Sequence, residues 1–218
     1  MSVSLPNGSL VAIASGYGTA KVIDDISNAD PGVAGFATGH GMALNDIVEI
    51  TSAWSRLTNK IVKLGTPTGS PADDIPLVGI DTTSTSIYPA AGGAGSARKI
   101  TGWTQLSQIL ESTSNGGEQQ FLTYQFLEGD AQLRIPTFKN ASGLTFKIAD
   151  DPTLAGYLLV AEANDDRLPR AVRITLPSGS VIYYQAYLSL NRTPSLTINE
   201  LMAVEVTLSL LAEPVRYA

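Results

Sequence analysis

The sequence contains no cysteine and only one histidine. Disulfide bonds and thiolate metal sites are therefore excluded, and the composition fits a chain that folds in a reducing cytoplasm. Charged residues make up 16% of the chain, whereas about 25% is usual for a soluble protein. So few charges leave much weakly polar surface, which favours a protein that buries part of its surface in an assembly.

Positive charge is also scarce. The chain has 14 Lys and Arg residues against 20 acidic ones, a net charge of −6, and it has no basic stripe of the kind that grips duplex DNA. No run approaches the ~20 consecutive apolar residues of a membrane helix, so we expect no membrane association. A length of 218 residues suffices for one large β domain, or for one domain with a small module.

What the sequence has instead is long β-type runs, above all towards its C-terminal end. Two such runs flank the turn at residues 177–179, and a third extends from about 196 to 212. Strands this long and weakly charged present more hydrogen-bonding edge and apolar surface than a small monomer leaves open. The pattern predicts a mainly β protein that binds copies of itself.

The chain divides into three predicted parts. We interpret residues 1–33, which are punctuated by Gly, Asn and Asp, as an extended arm with a first short strand. Residues 34–99 are interpreted as a small inserted β module that ends in a flexible glycine-rich linker at 88–95. Residues 100–218 carry the longer strands and are interpreted as the main β domain.

Strand alternation gives the expected elements. In the module, residues 46–50 are expected to pair with residues 60–64. The other expected strands lie at 10–14, 75–80, 99–112, 119–128, 132–136 and 144–149.

One helix is predicted, at about residues 152–163. Asp151 is a suitable N-cap and Pro152 suits the first helical position. Apolar residues at helical spacing are expected to pack this helix on the sheet; they are Leu154, Tyr157, Leu158 and Ala161.

No catalytic, metal or cofactor site is predicted. His40 lies between two glycines, without a nucleophile and an orienting acid near it in sequence, and is interpreted as a turn residue. The acidic pairs at 24–25, 73–74, 150–151 and 165–166 lack the spacing of a calcium loop. The glycine-rich segment 92–96 lacks the Lys-Ser/Thr pair of a phosphate-binding loop. We therefore expect a protein that is not an enzyme.

A tyrosine group allows a second function. Tyr183, Tyr184 and Tyr187 either fill a sheet or an interface, or form a stacking platform for a ligand. The second reading makes the chain a β-rich receptor-binding or adhesion module.

Several segments together resemble the tail tube (major tail) proteins of long-tailed bacteriophages. They are DDPTLAGY at 150–157, LPSGSV at 176–181, IDTT at 80–83, GAGSARK at 93–99, GEQQF at 117–121 and LSLLAEPVRY at 208–217. The segment GHGMALNDIVEI at 39–50 is also similar to a small β module found in phage structural proteins. The resemblance covers most of the chain, and the ordered series of segments carries it.

The resemblance implies a β-sandwich or open barrel with one flanking helix. It implies six copies in a ring, with rings stacked around a tape-measure protein and ended by tail-terminator and tail-tip proteins. Such a tube belongs to the virion and is assembled in the host cytoplasm. DNA passes through it during ejection without specific binding.

Acidic residues in the ring-forming part are candidates for the wall of the lumen, since carboxylates repel phosphates and let DNA slide. They are Glu111, Glu118, Glu128, Glu200 and Glu205. The alternative is that these carboxylates lie on the outer surface and keep the tube soluble. A one-residue change of register moves a strand residue to the opposite face, so both readings stay open.

Overall fold

The computed structural model of the protein describes residues 7–69 and 73–218. The chain is mainly β with a large antiparallel sheet and, in its described part, one α-helix, which confirms the predicted fold class. The elements in chain order are β1 (Leu10–Tyr17), β2 (Lys21–Ile26), β3 (Val33–Phe36), β4 (Ile47–Ser52), β5 (Lys60–Lys63), β6 (Asp74–Pro76), β7 (Gly95–Leu106), β8 (Ile109–Gly116), β9 (Gln119–Tyr124), β10 (Leu133–Lys139), β11 (Ser142–Ala149), α1 (Ala155–Asp166), β12 (Arg170–Thr175), β13 (Val181–Ser195), β14 (Ala203–Leu210) and β15 (Val215–Tyr217).

Strand β7 is shared by two groups of strands in the sheet. The strand order is β6-β3-β2-β7-β1-β12-β13-β14-β11-β8, with β4 also paired to β5 and β7, and β15 paired to β13. The first part of β7 pairs with β2 and β4, and its second part pairs with β1. Among the described residues, strands β9 and β10 pair only with each other and form a separate hairpin.

Three apolar clusters form the core. The first fills the space among β2 to β6 and includes Val215 from the C-terminal strand. The second includes Val160 and Ala163 of α1, which packs on β13, β7 and β1, together with apolar residues of β11, β13 and β14. A small third cluster lies between the other two. Most strands thus bury one apolar face, whereas β8 is exposed along nearly its whole length.

A polar network, centred on the buried Glu49, connects five strands near the third core cluster. The Glu49 carboxylate of β4 accepts hydrogen bonds from Arg98 Nη2 at 2.6 Å and from Gln185 Nε2 at 3.1 Å. The Arg98 guanidinium stacks on the Tyr17 ring, 4.1 Å from its centroid. The Tyr17 hydroxyl accepts a hydrogen bond from the Ala171 N–H at 2.8 Å, and burial raises the pKa of Tyr17. Strands β1, β4, β7, β12 and β13 are thereby tied together.

The predicted pairing within residues 34–99 is confirmed, because Val48 lies opposite Val62 in the β4–β5 pair. Of the predicted linker at 88–95, only the last residue lies in a strand. Gly95 is the first residue of β7, and a Cβ there would lie 2.0 Å from the Thr51 carbonyl oxygen, so the glycine permits a close strand contact. Strand β7 also crosses the predicted boundary at 99. That residues 34–99 fold semi-independently stays a prediction.

The expectation of an N-terminal arm does not hold for residues 10–26. Strand β1 lies inside the sheet between β7 and β12, and β2 lies between β3 and β7. The turn punctuation around residue 18 separates two strands rather than marking an unstructured segment. Residues 1–6 of the predicted arm lie outside the described residues.

Two predicted strands have different bounds. The run at 99–112 is split into β7 and β8, because Gln108 adopts a left-handed conformation with φ of 58° that cannot continue a strand. The last long run begins at Ala203 rather than near residue 196. The hairpin around residues 177–179 is confirmed, with β12 paired to β13.

The helix begins three residues later than predicted, and its packed face matches the predicted one only in part, since Tyr157 and Ala161 pack against the second core cluster but Leu158 does not. Asp151 does not cap it, since its carboxylate accepts hydrogen bonds from the N–H and hydroxyl of Thr153 in the preceding turn. Val160 is fully buried, whereas Leu158 is 56% exposed. Gly156 makes the close approach possible, because a Cβ there would lie 2.5 Å from the Gln105 carbonyl oxygen of β7. Small residues therefore decide the packed face, rather than the largest apolar ones.

Candidate assembly surfaces

One face of the sheet formed by β8, β11, β14 and β13 is polar and open to solvent. Cross-strand pairing aligns its residues in rows. The first row is Glu111, Lys147, Glu205 and Asn191, and the second is Thr113, Thr145, Thr207 and Ser189. The opposite face of β11 and β14 is buried in the second core cluster. We call the exposed side the polar face.

The polar face brings together two of the five candidate lumen acids. Glu111 and Glu205 are both exposed, and Lys147 lies between them as the cross-strand neighbour of each. In the described part of the chain no ion pair joins Lys147 to either carboxylate. The two acids and one lysine give this row a formal charge of −2 + 1 = −1.

The other three candidate acids lie in turns, away from the polar face. Glu118 lies between β8 and β9, where its carboxylate accepts a 3.4 Å hydrogen bond from Asn140. Glu128 lies in the turn between β9 and β10, and Glu200 lies in the turn before β14. All three are exposed.

Strand β8 ends the sheet on the side of the polar face. It is eight residues long, and among residues 7–69 and 73–218 no strand pairs with its outer edge. An unpaired edge of this length offers backbone donors and acceptors to another chain.

The β9–β10 hairpin exposes apolar side chains on both of its faces. They are Phe121, Leu122, Phe126, Leu127, Leu133, Ile135 and Phe138. A two-stranded hairpin is marginally stable by itself, and an exposed apolar surface of this kind marks an interaction site. The sequence predicted a strand at 119–128, and Phe and Leu occur at both parities of this run, so neither face is purely polar.

A basic cleft lies at the base of this hairpin. Its volume is about 520 Å³, and its charged lining residues are Arg56, Lys60, Lys139 and Glu213. Lys139 and Glu213 form an ion pair across it. Burial lowers the pKa of Lys60, an effect that the nearby Arg56 reinforces and Glu213 opposes. The cleft concentrates positive charge in a chain that is acidic as a whole.

The three tyrosines do not form a stacking platform. Tyr183 is buried in the third core cluster, Tyr184 packs against the second cluster on the opposite side of β13, and Tyr187 is exposed. His40 lies in a turn, where its Nδ1 accepts a hydrogen bond from the Met42 N–H at 2.8 Å. The described residues include no group of three or more His, Cys, Asp or Glu side chains arranged to hold a metal ion.

No helix in the described part of the chain is long and apolar enough to cross a membrane.

A family model described as "Phage tail tube protein, TTP" matches residues 52–218. The chain belongs to this family. The polar face, the hairpin and the basic cleft all lie within the matched residues. Membership makes the protein a structural component of a phage tail.

Solved structures also match about half of the chain. A sheath–tube complex of the extracellular contractile injection system PVC is 16% identical, with a TM-score of 0.36 over 49% of this chain and 79% of that one. The cap that terminates the anti-feeding prophage tube is 17% identical, with a TM-score of 0.37 over 52% of this chain and 82% of that one. No curated protein matches the sequence significantly.

Proposed function

We propose that this protein is the subunit of a phage tail tube, assembling as stacked hexameric rings that form the conduit for DNA ejection. The family match carries the proposal. The unpaired edge of β8 and the exposed apolar hairpin support it, because both are surfaces that self-association would cover. Nothing in this role requires a cofactor or a catalytic group.

The polar face is the part of the subunit that lines the lumen in this proposal. Its Thr, Ser and Asn side chains are short and uncharged, and its Glu111–Lys147–Glu205 row is net negative. Such a wall is net negative and offers DNA few cations, which lets DNA slide. The alternative, that the polar face lies outside and keeps the tube soluble, predicts that its charge has no effect on DNA passage.

The remaining assignments follow the same reasoning. A tube subunit contacts the tape-measure protein through its lumen and the terminator and tip proteins at its ends. It is assembled in the host cytoplasm and resides in the virion. Residues 34–99 then lie outside the ring wall, since the polar face and the β8 edge belong to the other part of the chain.

Electron microscopy of the purified protein tests the proposal. Hollow tubes with sixfold-symmetric cross-sections are the expected result. A protein that sediments only as a monomer at high concentration, without rods or rings at any salt concentration, would overturn it. A monomer that binds bacterial cells would instead favour the receptor-binding alternative.

A further inference from the structure

We propose that the acidic tip of the β9–β10 hairpin of one copy inserts into the basic cleft of a second copy. The contact is head-to-tail, since the tip and the cleft are different surfaces of the same chain. This inference rests on the proposed self-assembly and names the residues through which one subunit holds the next.

The hairpin tip carries two carboxylates without ionic partners. Glu128 and Asp130 are exposed, and neither forms an ion pair within the described residues. The turn is held in shape, since the Gly129 N–H donates to the Phe126 carbonyl at 3.1 Å and Gln125 Nε2 donates to the Gly129 carbonyl at 2.8 Å. The tip therefore presents its charges together with the exposed side chains of Phe126 and Leu127.

The cleft complements this tip in charge and in polarity. Arg56, Lys60, Lys139 and Glu213 give it a formal charge of +3 − 1 = +2. Glu213 is already engaged by Lys139, so Arg56 and Lys60 are the cations left for an incoming carboxylate. Tyr88, Phe138 and Leu211 line the rest of the cleft and offer apolar contact to Phe126 and Leu127.

The tip of a hairpin is out of reach of the cleft at its own base. Gln119, Phe138 and Lys139, which line the cleft, are the first residue of β9 and the last two of β10. Strands rise about 3.4 Å per residue, so the tip lies roughly 20 Å away. Only another copy can bring its tip to this cleft. Because the two surfaces differ, each bound copy offers a free tip or a free cleft to the next, and the contact propagates.

Charge reversal tests the contact in three steps. The variant E128K/D130K places cations on the tip, and R56E/K60E places anions in the cleft while leaving the Lys139–Glu213 pair intact. We expect each to weaken self-association about tenfold or more, as loss of two interfacial ion pairs does. The control D24K/D25K makes the same charge change as E128K/D130K on exposed β2 positions and is expected to assemble like wild type.

Complementation is the decisive step. An equimolar mixture of E128K/D130K and R56E/K60E restores opposite charges at every tip–cleft contact and should form tubes again. The fourfold variant with both reversals should assemble by itself for the same reason. Sedimentation velocity and electron microscopy report assembly, and thermal unfolding of each monomer reports its fold. The neutral variant E128Q/D130Q tests the tip if E128K/D130K misfolds.

Each outcome decides the matter. Assembly of E128K/D130K and E128Q/D130Q at wild-type protein concentrations overturns the contact, while the proposed tube function stands. Failure of both the mixture and the fourfold variant, with all chains folded, also overturns it. If wild-type protein itself forms no higher assembly under any condition, the tube function falls and this contact falls with it.

Discussion

At the scale of single residues, we expect Glu49 to be important for the stability of the fold. Its carboxylate is mostly buried, and it holds both the Arg98 guanidinium and the Gln185 amide. Removing one member of a buried polar set leaves its partners desolvated and unpaired, which costs more than the net gain of forming the set.

We therefore expect Glu49→Ala to lower the free energy of unfolding by about 2–3 kcal/mol, since Arg98 keeps partial access to water. Urea denaturation measures the change. Glu111→Ala removes an exposed carboxylate of β8 that forms no ion pair within the described residues, and it should change stability by less than about 0.5 kcal/mol. Equal effects of the two substitutions would contradict the buried role of Glu49.

Tyr217 contributes to stability in a way that depends on pH. Its hydroxyl accepts a hydrogen bond from the Lys63 N–H at 2.9 Å and donates one to the Val78 carbonyl at 3.1 Å. Burial raises the pKa of Tyr217 from 10.0 to about 12. The folded state therefore favours the neutral phenol, so the stability that it supplies is complete below pH 10 and is lost as the pH rises towards about 12.

We expect Tyr217→Phe to destabilise the protein by about 1–3 kcal/mol near neutral pH, because it leaves Lys63 N–H and the Val78 carbonyl without this partner. The gap between the two proteins should narrow above pH 10 as the wild-type phenol ionises. Denaturation at a series of pH values measures the gap. A gap that stays constant up to pH 12 would show that the hydroxyl does not titrate as described.

At the scale of elements, the strands could be predicted wherever one face is buried. In β14, Val204, Val206 and Leu208 alternate with polar residues, and the structure buries those three. The β9–β10 hairpin lacks this asymmetry, and its exposure was missed because its apolar side chains find no partner in the same chain. The alternation pattern of one chain does not show whether a second copy covers such a surface.

The start and part of the packed face of α1 were predicted incorrectly for a different reason. Apolar residues surround most of α1, so helical spacing by itself does not select a face. The selection comes from Gly156, whose missing side chain lets the helix approach β7 closely. A tertiary contact thus overrides local hydrophobicity, and it also moves the helix start away from the capping signal at Asp151.

We accordingly expect Val160→Asp to cost about 3–5 kcal/mol, because it places an unpaired carboxylate against the second core cluster. Leu158→Asp on the exposed side of the same helix should cost less than about 1 kcal/mol. Thermal or urea unfolding of the two variants measures the difference. A larger loss for Leu158→Asp would mean that the helix packs through the face first predicted from its sequence.

At the scale of the whole molecule, the polar face and the β8 edge belong to the large sheet, whereas the β9–β10 hairpin forms a sheet of its own. The buried network at Glu49 and the C-terminal strand β15 tie the β2–β6 region to the strands that bear the polar face. The candidate lumen acids were only partly predictable, since acids in turns and acids on strands look alike until the register is known.

The polar face makes the last prediction. The variant E111K/E205K changes the charge of its first row from −1 to +3, because Lys147 already lies between the two positions. If this face lines the lumen, tubes should still form, but virions should release DNA more slowly, since phosphates now find cations along the wall. The delay should be largest at low salt, where screening is weakest. Virions with D24K/D25K carry the same added charge on β2 and should release DNA at the wild-type rate. If virions with E111K/E205K release DNA as fast as those with D24K/D25K in dilute buffer, the polar face lies outside the lumen, while the proposed tube function stands.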